Sequence, residues 1–347
     1  MNSWQKLINW YVKTHRDFPW RKNPNLYWVW IAEVMSQQTQ MASVLPYFEK
    51  FIQKFSTLQR LSMANEDEVL KMWAGLGYYS RAKNLFRSAQ IICETYGGQF
   101  PQALVQWLAL PGVGPYTAAA IVSQCFNHKV PVWDGNVLRV CSRLFANKNP
   151  YTKEFKKHCL IHLSQALKNF QASHFNQGLM ELGALICTPR NPQCKICPLQ
   201  KSCKAFVLKQ THLFPPPKLR NKTVLLKPNA RVEIFKGQNG HEIFLKCRPS
   251  GLWFSGLWDF PSELGSAKKP IYTRLSPFKK YHALEDVSHT ITHHKILLKG
   301  RYGFTVTKKF KNTPKQGWFL ISDLKASNPP VALATTAKKL LKILPFN

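Results

Sequence analysis

The sequence predicts a mostly α-helical protein, with a large helical N-terminal domain, a stiff linker and a smaller α+β C-terminal domain. Three observations predict this. Apolar residues recur at helical spacing as far as residue 209. The stretch His212-Leu213-Phe214-Pro215-Pro216-Pro217-Lys218 then interrupts the pattern with a run of prolines. From about residue 224 the texture changes to short β-like runs. A chain of 347 residues is long enough for two or three separately folded domains.

In chain order, helical patterns fall at 3–14, 27–55, 66–96, 102–126, 135–146, 153–169 and 173–186, separated by Pro, Gly and Asn signals. In the first, Trp4, Leu7, Ile8 and Tyr11 form one apolar face, so the N-terminus reads as an amphipathic helix and not as an export signal. Pro101 suits the first turn of its helix. After a linker at 210–223, strands are expected at 224–226, 231–235 and 242–247, the last two joined by Gly237-Gln238-Asn239-Gly240, and a final helix at 331–344. The expected domains are therefore 1–209 and 224–347.

Composition narrows the partners. Forty-nine Lys and Arg against seventeen Asp and Glu leave a net charge of +32, spread along the whole chain, which calls for a polyanion. A membrane surface is the weaker candidate, because no run approaches ~18 apolar residues. The nine cysteines of a chain that is not exported are no disulfide framework. Five are scattered in apolar contexts, and four fall between 187 and 203.

Several stretches carry chemistry. Glu33 is the one formally charged side chain in residues 23–48. Desolvation among Tyr, Trp, Val and Ile would raise its pKa and let it carry a proton near neutrality, although a carboxylate on a solvated helix face fits the stretch equally well. Gln37, Gln38, Thr39 and Gln40 beside it are polar and uncharged, suited to hydrogen-bonding exposed bases. In Trp73-Ala74-Gly75-Leu76-Gly77-Tyr78-Tyr79-Ser80-Arg81 the glycines break two helices. The tyrosines suit a stacking wedge with Arg81 on a phosphate, or else a Gly-capped helix end.

Leu110-Pro111-Gly112-Val113-Gly114-Pro115 joins two apolar helices in a hairpin. Its glycines admit a close anion to the unpaired N–H groups of the second helix, with pure packing as the alternative. Asp134 suits the N-cap of a helix whose face is Val137, Val140, Cys141 and Leu144, and the helix dipole would keep such a carboxylate ionised. Cys187, Cys194, Cys197 and Cys203, spaced C-x6-C-x2-C-x5-C, can hold zinc or a [4Fe–4S] cluster. Zinc ribbons usually set two C-x2-C pairs further apart, which disfavours zinc. Lys195, Lys201 and Lys204 lie in or beside that loop, placed to meet phosphates.

Together, the hairpin, the downstream Asp and the cysteine loop resemble the helix-hairpin-helix DNA glycosylase superfamily. Within it, Phe18-Pro19-Trp20-Arg21, Glu33-Val34-Met35, Gln37-Gln38-Thr39-Gln40, Gly75-Leu76-Gly77-Tyr78-Tyr79 and Asp134-Gly135-Asn136 resemble the MutY family of adenine-specific mismatch glycosylases. The resemblance implies a six-helix barrel module at about 23–130 beside a module of 1–22 and 131–209 bearing one [4Fe–4S] cluster. The active site would lie between these modules.

The implied substrate is adenine opposite 8-oxoguanine or guanine in duplex DNA. Glu33 would protonate the base and Asp134 would stabilise the sugar cation, while Tyr116 and Asn136 position them. Gln37, Gln38, Leu76, Tyr78, Arg81, Gly112, Gly114 and Arg21 would contact or wedge the DNA. The same resemblance implies a cytoplasmic, nucleoid-associated monomer, if the source is bacterial.

Four departures matter. Strand-cutting relatives carry Lys at the position of Tyr116, so base removal without strand cleavage is implied. The C-terminal domain resembles a nudix-like 8-oxoguanine recognition domain, with Gly256-Leu257-Trp258-Asp259-Phe260-Pro261 matching its strand. Residues 264–275 hold no glutamate, however, so no Mg²⁺-dependent pyrophosphatase is expected. The family's Phe-Ser-His recognition loop stands as Ile291-Thr292-His293, and Ser36 replaces the usual Leu. A pyrimidine-specific glycosylase/lyase and a non-catalytic iron–sulfur DNA-binding protein are the rival readings. Tyr116 argues against the first and Glu33 against the second.

Overall fold

A computed structural model describes residues 2–22, 25–218, 222–271, 275 and 280–346. Residues 219–221 of the expected linker, and 272–274 of the segment without glutamate, lie outside the described residues. The chain divides into two compact units, Met1–Met63 with Asn84–Leu219, and Ala64–Lys83 with Arg220–Asn347.

The first unit is helical. It contains α1 (Ser3–Thr14), α2 (Pro19–Lys22), α3 (Leu26–Ser36), α4 (Met41–Lys54) and α5 (Leu58–Ser62). The single pattern expected over 27–55 is thus two helices. No Gly or Pro marks the break; Gln38 steps out of the helix at φ 59° between them. In the second unit, α6 (Glu66–Met72) is capped by Asn65, whose side chain accepts from the Asp67 N–H. The break before α7 (Ser80–Thr95) falls at the glycines, as the sequence suggests.

Next come α8 (Leu104–Leu108) and α9 (Pro115–Cys125). Pro101 lies ahead of α8 and not in its first turn. Its carbonyl accepts from the buried Trp107 indole at 2.7 Å, a bond that fixes the chain before the helix begins. Then follow α10 (Gly135–Phe145), α11 (Lys153–Leu167), α12 (Ala172–Leu185) and the short α13 (Lys204–Val207).

Two packed clusters organise this unit. Leu7 of α1, Ala120 of α9, Cys141 of α10, Cys159 and Leu163 of α11, and Phe175 and Leu179 of α12 are fully buried together. Each large apolar side chain so buried contributes about 1.5–3 kcal/mol. Trp30, Ile31 and Met35 of α3, Phe48 and Phe51 of α4, and Trp107 of α8 are likewise fully buried, with Trp30 edge-on to Trp107. Because α3 and α9 pack together and α12 packs against α1, α9 and α10, charged groups on their facing sides are trapped between helices.

The start of the proline segment is fastened to this unit and is no free linker: Phe214 is buried, and the Arg143 side chain donates to the Thr211 and Phe214 carbonyls at 3.1 and 2.7 Å.

The second unit carries the sheet, made of β1 (Val224–Leu226), β2 (Asn229–Gly237), β3 (Gly240–Cys247), β4 (Trp258–Asp259), β5 (His282–Ala283), β6 (Val287–Ile291), β7 (His294–Thr305) and β8 (Gln316–Leu320). The order is β1-β7-β2-β3-β4, with β5 and β6 also on β7 and β8 on β3. Strands β1 and β2 run parallel to β7; the other pairs are antiparallel. Gln238-Asn239 makes the two-residue turn expected from sequence. The closing helices are α14 (Ile321–Lys325) and α15 (Thr335–Ile343), so the final helix begins later than its apolar pattern.

Inside the unit, Asp259 sits 3.8 Å from Arg248 and accepts from Thr336 at 2.8 Å. Burial still pushes its carboxyl up to about 6. Strands β6 and β7 form a hairpin with Thr292-His293 at its tip, and the Val224 N–H donates to the His293 carbonyl at 2.9 Å.

Candidate active site

Helix α3 is started by Asn25, which accepts from the Tyr27 and Trp28 N–H groups. Almost every side chain from Tyr27 to Met35 is buried, so the helix has no solvated side on which Glu33 could rest. Glu33 is 5% exposed. Its two oxygens have different partners, both on α9. The Tyr116 hydroxyl donates to Oε2 at 3.1 Å and the Gln124 amide to Oε1 at 2.8 Å. Burial pushes the carboxyl above its ordinary value, and Asp134 adds to the rise. The bonds from Gln124 and Tyr116, with the nearby Arg21 charge, oppose it. Tyr116 also lies 3.2 Å from Met180 Sδ, and burial holds its phenol well above the ordinary range.

Asp134 caps α10. Oδ1 accepts from the Val137 N–H at 2.7 Å and Oδ2 from the Asn136 amide at 2.9 Å. Burial raises the pKa of Asp134, against the pull of those cap bonds and Arg139.

Arg139, one turn after Asn136, donates to the Asn136 amide oxygen at 2.9 Å, to the Gly183 carbonyl at 2.7 Å and to the Cys187 carbonyl at 2.7 Å. Helices α10 and α12 meet closely here. A Cβ built on Gly183 would stand 2.5 Å from Asn136 Cβ and 3.1 Å from its Cα.

These groups line one open cleft of about 640 Å³ together with Arg16, Trp20, Arg21, Gln38, Gln177 and Glu181. Glu181, 1% exposed, accepts from Arg16 at 2.7 Å and from Arg21 at 3.0 Å. Burial alone would raise its pKa, but the two arginines outweigh it and hold the carboxyl at about 2. Arg21 is therefore committed to an ion pair and to the Arg16 carbonyl, and is not placed as a phosphate contact.

Sequence reasoning also passed over Arg16, Gln124, Arg139, Gln177 and Glu181. A signal existed for Glu181, the one formally charged residue in 171–186, and for Gln124, the amide at the end of an otherwise apolar helix.

The hairpin presents an open helix start. Gly112 has φ 75°, and a Cβ there would press to 2.7 Å from Asn84 Cβ. At Gly114, the N-cap of α9, a Cβ would meet nothing within 4 Å. Gln37 does not point outward with Gln38. Its amide ties α3 to this hairpin through Thr117 Oγ1 at 3.0 Å and the Gly112 carbonyl at 3.4 Å.

In the second unit, Tyr78 is exposed with φ 48°, while Leu76 is 7% exposed. Arg81 is buried, donating to the Leu76 and Gly77 carbonyls at 3.2 and 3.1 Å, so it shapes the turn and does not reach out to a phosphate. Desolvation lowers its pKa to about 10. Thr292 is exposed at the hairpin tip with φ 52°, flanked by the half-buried Ile291 and His293.

Cys187, Cys194, Cys197 and Cys203 surround one small enclosed cavity, closed on another side by Arg143, whose Nη1 lies 3.3 Å from Cys187 Sγ. Among the described residues, no three His, Cys, Asp or Glu side chains converge on a point that a single metal ion would fill.

A helical hairpin beside a cleft that holds Glu33 and Asp134 is the arrangement of a helix-hairpin-helix DNA glycosylase. The family model described as "HhH-GPD superfamily base excision DNA repair protein" matches residues 31–163. The thermostable thymine-DNA glycosylase structure is similar, at 29% identity and TM-score 0.54 over 59% of this chain and 95% of that one.

Among curated proteins, the adenine DNA glycosylase of Buchnera aphidicola (Schizaphis graminum) is 32% identical over 98% of this chain and 97% of its own length. That of Rattus norvegicus is 45% identical over 58% of this chain and 41% of its own. The chain belongs to the adenine DNA glycosylase family, and is a DNA N-glycosylase of base excision repair. No helix among the described residues is long and apolar enough to cross a membrane.

Proposed function

We propose that the chain removes adenine paired with 8-oxoguanine or guanine in duplex DNA by hydrolysing the N-glycosidic bond, and leaves an abasic site. The observation that carries this is the pair Glu33 and Asp134, one buried and one half-buried carboxylate on one cleft, each held by named donors. The adenosine is flipped out of the stack into the cleft, since its bond is unreachable inside the duplex.

Glu33, whose burial favours the acid form, gives its proton to a ring nitrogen of the adenine and turns a poor leaving group into a good one. Asp134, turned by its cap toward the sugar, stabilises the oxocarbenium charge or bonds to it. The Glu33 carboxylate then takes a proton from the attacking water. Tyr116 and Asn136 hold the two carboxyls in place. With Tyr116 where an amine nucleophile would have to stand, no Schiff base forms and the strand is not cut.

The test is a single-turnover assay on a duplex with one A opposite 8-oxoguanine. Glu33→Gln and Asp134→Asn each lose at least ~10²-fold; equal activity in all three proteins overturns the mechanism. Efficient borohydride trapping on substrate DNA would refute the monofunctional reading.

The four cysteines would hold one [4Fe–4S] cluster. Burial pushes the Cys197 thiol up to about 12, so thiolates form there only against a positive group. When bound, the cluster supplies that charge and fixes the loop whose Cys187 carbonyl receives Arg139. Ile291, Thr292 and His293 would read the opposite 8-oxoguanine from the hairpin tip, with Gln38, Leu76 and Tyr78 filling the duplex. Residues 23–130, and 1–22 with 131–209, form the two modules flanking the cleft. The protein acts on DNA as a monomer, in the nucleoid if its source is bacterial.

A further inference from the structure

We propose that Gln124 is a positioning residue for Glu33: its side-chain amide, on Glu33 Oε1 while Tyr116 holds Oε2, fixes the plane of the carboxyl and tunes its protonation. This rests on the reading of Glu33 as the acid. Gln124 lies in the last turn of α9, whose residues from Thr117 to Ser123 are buried. A polar amide is costly at the edge of such an apolar helix unless it is bonded, and the bond it makes is to the carboxylate, at 2.8 Å.

Two donors from one helix, on opposite oxygens, leave the carboxyl no free rotation. Both bonds favour the charged form, so they oppose the upward push of burial. The other ionisable groups facing Glu33 are Arg21 from α2, Asp134 at the start of α10, Tyr116 and the Cys125 thiol, itself raised by burial and by Glu33. Tyr116 is a donor in every state near neutrality, because its phenol is held well above the ordinary range. Like the Tyr116 hydroxyl, the Gln124 side chain can also accept, its amide carbonyl taking a hydrogen bond from Oε1 when the carboxyl is neutral. The residue thereby serves both protonation states through which the acid must pass.

Gln124→Met keeps the length of the side chain and removes both the donor and the acceptor; Gln124→Glu replaces the donor with a second carboxyl. The Glu33 carboxyl is followed by ¹³C NMR titration of protein labelled at glutamate Cδ, its signal identified by its loss in Glu33→Gln. In Gln124→Met the titration moves to higher pH, and in Gln124→Glu further still. The alkaline limb of the single-turnover rate moves with it, and the maximal rate of Gln124→Met falls ~3- to 30-fold as the carboxyl loses its fixed plane.

A Glu33 titration unmoved in Gln124→Met, or moved to lower pH, overturns the inference. Should the titration move while Glu33→Gln stays fully active, the assignment of Glu33 as the acid fails and the hydrogen-bond role of Gln124 stands.

Discussion

Gly183→Ala puts the close approach of α10 and α12 to a direct test. The added Cβ would sit 2.5 Å from Asn136 Cβ and 3.1 Å from its Cα. Carbon atoms rest at ~3.5–4.0 Å, so the helices must part by about 1 Å. Because one of the obstructing atoms is backbone, no rotamer change relieves the clash. Overpacking of this kind costs about 1–3 kcal/mol, and replacing a helical glycine returns roughly 0.5–1 kcal/mol. The net loss of stability is therefore small.

The first turn of α10 carries Asp134 at its cap and Asn136 bonded to it, and both move with the shift. A displacement of about 1 Å at reacting groups costs on the order of 10²-fold in rate. The expected pattern is a large drop in single-turnover excision, with duplex binding and thermal unfolding little changed. Gly178→Ala is the control. It lies on the same helix, but its Cβ would meet only side-chain atoms, at 3.3 Å or more. A Gly183→Ala rate within threefold of wild type would refute the claim that this contact sets the position of Asp134.

Other outcomes follow from the same geometry. Glu181 has a folded pKa of about 2, below its ordinary 4.5, so it stabilises the fold above about pH 4.5 and loses that contribution as the pH falls toward 2. Glu181→Gln should be less stable at pH 7 by about 2–4 kcal/mol, with the gap closing in acid unfolding at pH 2; a gap independent of pH would count against the ion pair. Ala146 ends α10 in the left-handed region at φ 50°, so Ala146→Gly should stabilise by about 0.5–1 kcal/mol in thermal unfolding. Gly114→Ala should leave the melting temperature unchanged and weaken duplex binding, whereas Gly112→Ala should destabilise the fold by about 1–3 kcal/mol as well; identical melting behaviour would remove the distinction drawn between them.

Much of the site was legible wherever a residue was anomalous for its neighbourhood. Glu33 stood out because nothing near it in sequence is charged, and Asp134 because a cap and an apolar face follow it. Both also lie on the cleft. Glu181 carries the same signal as Glu33 and was passed over because no motif surrounds it.

The tyrosines before Arg81 suggest a phosphate contact for it, and the resemblance implies that Arg21 meets DNA. What holds Arg21 is a glutamate 160 positions away, which no local pattern reveals. Arg81 is held by carbonyls of its own turn, where Gly75, Gly77 and Tyr78 all have positive φ. The split of 27–55 into two helices was hidden for a related reason. Gln-Gln-Thr-Gln contains no breaker, and it is the tie from Gln37 to the hairpin that fixes the end of α3.

The bond from the Val224 N–H to the His293 carbonyl gives the connecting segment a second office. Strand β1 follows that segment directly and pairs in parallel with the first residues of β7, beside the turn at Thr292-His293. The connector therefore ends as a leash clipped to the very tip proposed to read the opposite base. Disrupting the pairing of β1 would therefore act directly on that tip.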